Sequence, residues 1–273
     1  MFIDYHTHHA RCGHASGSLE EYVLRGIEIG LAQLGLSDHM PLLHVDPATY
    51  LPGMAMPMQE LPQYVDEAFR LKEQYKEHID IRVGLEGDYI EGWEAEIERI
   101  VRAYPWDYVI GSVHFLGEWD ISDSRQLAGW EGKDVLEVYK QYYDAVQKAA
   151  RTGYYDYIGH VDVIKRFGYR PPQAQWDNEV LALERETLDV IQASGLAMEL
   201  NASGLRMPVE EMFPSRRILE YAHRIGLPLT IGSDAHQPER LAQYLDQAAA
   251  LLREVGFTEL ATFRNRRREM VQL

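Results

Sequence analysis

Phe2-Ile3-Asp4-Tyr5-His6-Thr7-His8 opens the chain, and Leu229-Thr230-Ile231-Gly232-Ser233-Asp234-Ala235-His236 stands near its end. Both are short strand-like runs that finish in imidazole or carboxylate. Residues i and i+2 of a strand face the same side, so His6 pairs with His8 and Asp234 with His236. Five further runs lie between them: Ala32–His39, Ile79–Asp88, Tyr108–Phe115, Tyr157–Asp162 and Ala197–Ala202. They finish in Asp38-His39, Glu86, His114, His160 and Asn201, and His14 follows the first run. Most are apolar throughout, as buried parallel strands are.

Helical patterns separate the runs. Ser18-Leu19-Glu20-Glu21 has capping-box spacing and opens a helix ending near Gly30. Leu61–Lys76, Glu94–Tyr104, Lys133–Arg151, Glu179–Ala193, Ser215–Arg224 and Pro238–Val255 complete the alternation. Strand and helix in turn imply parallel strands joined by right-handed crossovers. The predicted fold is an α/β barrel of seven strand–helix units, forming a single domain over residues 1–273. In such barrels the C-terminal strand ends build the active site. The stretch Met40–Pro62, with five prolines and four methionines, has no helical or strand period. It reads as a long loop over the mouth, either a surface loop on buried Met anchors or an active-site wall.

Composition narrows the function. A net charge of −16 disfavours extended nucleic-acid binding, because an acidic surface repels polyphosphate. No apolar run approaches the roughly 18–20 residues of a membrane span, and the N-terminus lacks the pattern of a signal peptide. Cys12 is the single cysteine, so no intrachain disulfide forms, in keeping with a reducing cytoplasm. The expectation is a cytoplasmic protein with neither membrane nor nucleic-acid partner.

The strand ends and first loop supply nine candidate metal ligands: His6, His8, His14, His39, Glu86, His114, His160, Asp234 and His236. Imidazole and carboxylate suit zinc, iron or manganese. Nine donors exceed one ion's coordination number, so two or three divalent ions are expected. Glu86 has two oxygens with which to bridge two of them. Water bridging close ions ionises near neutral pH, giving a bridging hydroxide nucleophile. One isolated histidine would be an ordinary packed or solvated residue; the recurrence at strand ends separates this set from that reading. His9, His44, His78 and His223 lack it and are expected to be structural or solvated, with His9 alternating outward. Cys12 is expected to be a packed thiol.

Arg206, then Arg166 and Lys165, are the candidate substrate-binding cations. They follow Asn201 and His160 in loops beside the proposed ions, and a guanidinium holds two phosphate oxygens at once.

The ordered set His6-x-His8, Ser37-Asp38-His39, Gly84-Leu85-Glu86, Gly111-Ser112-Val113-His114, Gly159-His160-Val161-Asp162 and Gly232-Ser233-Asp234-Ala235-His236 resembles the PHP (polymerase and histidinol phosphatase) superfamily. The likeness runs from His6 to about Arg240. Cys12-Gly13-His14-Ala15, Leu85-Glu86-Gly87-Asp88-Tyr89, Lys165-Arg166-Phe167-Gly168 and Asn201-Ala202-Ser203-Gly204-Leu205-Arg206 resemble its histidinol-phosphate phosphatase branch. The resemblance implies a distorted (β/α)7, TIM-like barrel and a trinuclear centre. One ion would take His6, His8, Glu86 and Asp234. A second would take Glu86, His114 and His160, and a third His14, His39 and His236. It further implies hydrolysis of L-histidinol phosphate, a small phosphomonoester, to L-histidinol and phosphate in histidine biosynthesis. Asp234 or a nearby histidine would protonate the leaving oxygen, and a carboxylate at the mouth would take the substrate ammonium.

Three other readings compete. A PHP phosphoesterase acting on a nucleotide, an oligonucleotide end or a phosphotyrosine peptide would share the ligand set. An amidohydrolase-like barrel would recruit a carboxylated lysine or a cysteine where Glu86 stands. A non-catalytic PHP module would have lost ligands.

Overall fold

The computed structural model describes residues 3–45 and 53–273. Phe2 of the first run and residues 46–52 of the long loop lie outside them. Seven parallel strands form one sheet: β1 (Ile3–Asp4), β2 (Gln33–Leu36), β3 (Asp80–Asp88), β4 (Tyr108–Ser112), then β7 (Tyr157–Ile158), β8 (Ala197–Asn201) and β9 (Leu229–Gly232). A small hairpin, β5 (Phe115–Leu116) and β6 (Trp119–Asp120), intervenes after β4. Their order in the sheet is their order in the sequence. Hydrogen bonds from Tyr5 N to Ile231 O (3.1 Å), Asp234 N to His6 O (2.9 Å) and His8 N to Ala235 O (2.9 Å) join first strand to last and close the barrel. The two runs that opened the sequence reading are therefore neighbours.

Most of the regular strands are shorter than the sequence suggests, because the chain leaves the regular ladder before the ligand-bearing residues; β3 runs far enough to include Glu86. Around the sheet stand α1 (Leu19–Glu28), α2 (Leu61–Gln74), α3 (Glu94–Ala103), α4 (Val135–Arg151), α5 (Gln173–Gln175), α6 (Leu181–Ala193), α7 (Arg216–Ile225) and α8 (Leu245–Val255). The capping box forms: Ser18 Oγ accepts from Glu21 N, and the Glu21 carboxylate accepts from Ser18 N at 2.6 Å. A π-helical segment, Trp176–Val180, joins α5 to α6, so this helix starts before the predicted Glu179. Where one helix Pro238–Val255 was expected, a 3-10 turn at Pro238–Arg240 precedes α8, and Tyr244 between them has φ 66°.

Beyond α8 the chain adds an antiparallel hairpin, β10 (Glu259–Arg264) and β11 (Arg267–Gln272), which the sequence reading did not anticipate. It seals the N-terminal end of the barrel. Phe263 packs against Tyr5, Tyr108 and Tyr157, and its carbonyl accepts from the buried Arg82 guanidinium at 2.9 Å. A closed floor leaves the opposite, C-terminal mouth as the place for a site. Among the described residues, no helix is long and apolar enough to cross a membrane.

Candidate metal centre

Alternation sets the direction of the first ligands. Thr7 points into the wall, donating Oγ1 to Gly35 O at 2.7 Å and taking Ser37 Oγ on its own N–H at 3.0 Å. His6 and His8 on either side therefore face the mouth. At the other seam, Asp234 adopts φ 53°, a left-handed conformation that Asp tolerates, and carries its carboxylate in toward His8.

Glu86, fully buried on β3, is the hub. Its Oε1 lies 3.0 Å from His160 Nε2, 3.3 Å from His6 Nε2 and 3.8 Å from His114 Nε2. Its Oε2 lies 2.8 Å from His39 Nδ1 and 3.6 Å from His8 Nε2. Asp234 Oδ1 stands 3.1 Å from His8 Nε2 and 3.5 Å from His236 Nδ1. His14 and His236 meet through their Nε2 atoms at 3.0 Å. All nine residues named from the sequence thus fall within one cluster.

Four triads have donor atoms close enough to share a cation: His6/His8/Asp234, His6/Glu86/His160, His39/Glu86/His114 and His8/His39/His236. The first lies within the expected first set of ligands. The others divide the donors around Glu86 and the rim differently from the resemblance.

The donors fit divalent ions. Despite these close approaches, His6 Nε2, His8 Nε2 and Glu86 Oε2 are buried without a well-aligned hydrogen bond, although buried polar atoms are nearly always paired. All three aim at the same space, where a cation would satisfy them. Their chemistry is nitrogen and oxygen, as zinc, iron or manganese prefer. Cys12 is not among them: its buried thiol, 3.2 Å from His9 O, is pushed up by desolvation.

The field inside the cluster is that of a cation site. Burial alone would lower the imidazoles, but Glu199, Glu86 and Asp234 outweigh it and raise His6 well above its ordinary value. Against the same desolvation, Asp234 and Asp38 raise His8 to about 9, and Asp88 and Glu86 raise His114 to about 10. Glu86 and Asp234 would be raised by burial, yet the surrounding histidines hold both well below the usual carboxylate range. Rim imidazoles behave oppositely. Lost hydration and the charges of His39 and His8 push His14 down to about 4, and His236 also falls well below its usual value.

Arg166 and Arg206 line the same cavity, of about 610 Å³. Arg206 is anchored to the Ser233 and Asp234 carbonyls at 2.7 and 3.1 Å. Arg166 Nε is buried without a hydrogen-bond partner. Lys165 does not join them. It is fully buried, with Nζ 2.8 Å from Asp162, 2.9 Å from Glu211 and 3.0 Å from Met212 O. Its neighbour in sequence faces the cavity, but the 3-10 turn at Val163–Lys165 sends the lysine into the wall.

The other histidines lie outside the cluster. His9 takes the structural alternative expected of it: it is buried, with Nδ1 against the Asp38 carboxylate and its ring packed on Tyr64 of α2. His44 packs on Phe115, His78 on Tyr75 and His223 on Phe257. Of the long loop, Leu42, Gly53 and Met54 line the cavity, while Met40 and Met56 are buried. Its described ends thus combine a wall with Met anchors.

Sequence reasoning missed Glu199 as a partner of His6, although it stands two residues before Asn201 in an otherwise apolar run. The i, i+2 rule applied to His6 and His8 would have found it. Asp88, two residues after Glu86, carries the same signal and contacts His114 Nδ1 at 2.8 Å. Asp120, Asp123, Arg125 and Arg240 also reach the cavity, from the β5–β6 hairpin and from turns outside the seven barrel strands.

A closed α/β barrel with this donor set at its C-terminal mouth belongs to the PHP domain family: residues 4–203 match the family model described as PHP domain. Among its relatives is a probable histidinol-phosphatase of Deinococcus radiodurans, 38% identical over 97% of both chains. A histidinol-phosphatase of Bacillus subtilis is 31% identical, over 86% of this chain and 93% of its own. The fold superposes on a histidinol phosphate phosphatase of Lactococcus lactis, crystallised with zinc, L-histidinol and phosphate. That match has a TM-score of 0.82 and 26% identity, and covers 98% of each chain.

Proposed function

We propose that this chain is a metal-dependent phosphomonoesterase that hydrolyses L-histidinol phosphate to L-histidinol and phosphate. The observation that carries the reading is the convergence of imidazole and carboxylate donors on Glu86 within the cavity that Arg166 and Arg206 line. The names of the full-length relatives and the ligands of the Lactococcus lactis structure supply the substrate.

His6, His8, Glu86 and Asp234 would hold one ion, Glu86, His114 and His160 a second, and His14, His39 and His236 a third. Divalent ions bound there ionise water near neutral pH and neutralise charge on a phosphoryl group. The chain's own groups do the rest. Arg166 offers an unpaired buried N–H to phosphate oxygens, and Arg206 is held rigidly beside it. Asp88 and Asp120 line the cavity and are the candidate partners of the substrate ammonium, whereas Asp123 is held by Arg125.

Asp234, held ionised by the surrounding imidazoles, suits a ligand or proton acceptor better than the donor role expected from sequence. Lys165, engaged by two carboxylates, is withdrawn from substrate binding. A panel of histidinol phosphate, p-nitrophenyl phosphate and short oligonucleotides tests the assignment on metal-reconstituted protein. Histidinol phosphate should give the highest kcat/KM; preference for an oligonucleotide end would overturn it.

A further inference from the structure

Five of the seven ligand imidazoles turn Nδ1 away from the donor cluster, and these five fall into two groups; His39 instead points Nδ1 at Glu86, and His160 Nδ1 is buried without a partner. His6 Nδ1 lies 2.8 Å from Glu199 Oε1, His114 Nδ1 lies 2.8 Å from Asp88 Oδ1, and His8 Nδ1 lies 3.3 Å from Asp38 Oδ1. These three rings are buried, and each is backed by a buried carboxylate from a different strand end. His236 Nδ1 and His14 Nδ1 instead face backbone carbonyls, Asp234 O at 3.1 Å and Cys12 O at 3.4 Å. Both reach solvent at the rim.

A carboxylate and a carbonyl both accept the Nδ1 proton and leave Nε2 free to ligate. Only the carboxylate adds negative charge behind the ring, which raises its basicity toward a metal. Glu199 does more than this. Its Oε2 accepts the backbone N–H of His160 at 3.0 Å and the Asn201 side-chain amide at 3.1 Å. One carboxylate thus fixes His6 and the strand end carrying His160.

We propose that the metal centre is graded. Glu199, Asp38 and Asp88 are positioning residues that make the subsites of His6, His8 and His114 tight, and the rim subsite of His14, His39 and His236 is loose and exchangeable. The inference rests on the multi-ion reading above. In Glu199→Gln the amide must turn its NH2 toward His6 to keep the His160 bond. His6 Nδ1 then has to accept, its proton moves to Nε2, and the lone pair aimed at the cavity is lost.

The experiment counts ions per chain by elemental analysis of manganese-loaded protein equilibrated with rising chelator concentration. One ion should leave at a chelator concentration at least tenfold below that removing the rest. His14→Ala should lack that first step alone. Glu199→Gln should shift the later steps by about tenfold or more and leave the first unmoved, which a general loss of stability would not do. Should that variant fail to fold, Asp88→Asn is read in the same way. A full complement leaving in one step, a first step that survives His14→Ala, or later steps unmoved in the carboxylate variant overturns the grading. Wild-type protein that never holds more than one ion overturns the multi-ion reading and the grading together.

Discussion

A β-carbon on Gly232 would stand 2.2 Å from Oε1 of Glu199, and 2.5 Å from the β-carbon of His6. Glycine is required here by close approach rather than by its dihedral angles. Its bare α-carbon lets the last strand lie flat against the carboxylate that holds His6. Gly232→Ala must displace one of two buried groups that have no free space. We expect loss of bound metal and a ten- to hundredfold fall in kcat/KM, the scale seen when a group that orients a metal-binding imidazole is displaced. Elemental analysis and steady-state kinetics check this, with circular dichroism confirming the fold.

Arg166 and Lys165 are adjacent in sequence but opposite in role. Removing a charge-assisted contact to phosphate costs about 1.5–3 kcal/mol. Arg166→Ala should therefore raise the inhibition constant of inorganic phosphate roughly 10- to 100-fold with metal content unchanged. Lys165→Met breaks a buried ion pair and should cost roughly 3–5 kcal/mol of stability. Urea denaturation and phosphate inhibition measured on both variants separate the two roles.

Metal uptake should release protons. His6 is raised, with His8 near 9 and His114 near 10, because neighbouring carboxylates outweigh desolvation. Ligation needs the neutral rings, so loading at pH 7.5 should expel about three protons from the raised groups, and one more for each metal-bound water that ionises. Calorimetry in buffers of different ionisation enthalpy measures that number. The sign for stability follows from the same shifts. Groups raised above 6.5 contribute fully below that pH, and the contribution is lost as pH rises through about 9 and 10. Metal-stripped protein should lose Tm across that interval, whereas metal-loaded protein should hold it.

The floor of the barrel makes a separate prediction. Phe263 is 1% exposed and touches the rings of Tyr5, Tyr108 and Tyr157. Phe263→Ala should cost about 3–5 kcal/mol. Its metal content and KM should stay near wild type, because the hairpin closes the end opposite the site. Chemical denaturation beside metal analysis tests that separation.

The barrel was legible because each strand is a short apolar run that changes character abruptly at its C-terminal end. His6 with His8, and Asp234 with His236, obey the two-residue period and could be placed on one face without coordinates. Glu199 obeys the same period yet escaped, because its apolar neighbours made the run read as simple core. Lys165 misled because a 3-10 turn, unlike a strand, gives consecutive residues unrelated directions. The hairpin after α8 carries mostly polar residues on β11, and its function as a plug depends on distant tyrosines at the barrel floor. Asp120 and Asp123 enter the cavity from the short β5–β6 hairpin and the turn after it, too brief for a period to predict direction.

Phosphate release from L-histidinol phosphate is the most direct test, measured on metal-stripped protein before and after divalent metal is returned, with Glu86→Gln in parallel. Turnover should be abolished by stripping and restored by metal in the wild type. In Glu86→Gln, where the residue shared by two of the three proposed subsites has lost its charge, it should stay at least a thousandfold down, about 4 kcal/mol of barrier. Full turnover by metal-free protein, or metal-restored wild type that leaves L-histidinol phosphate intact, would contradict the account.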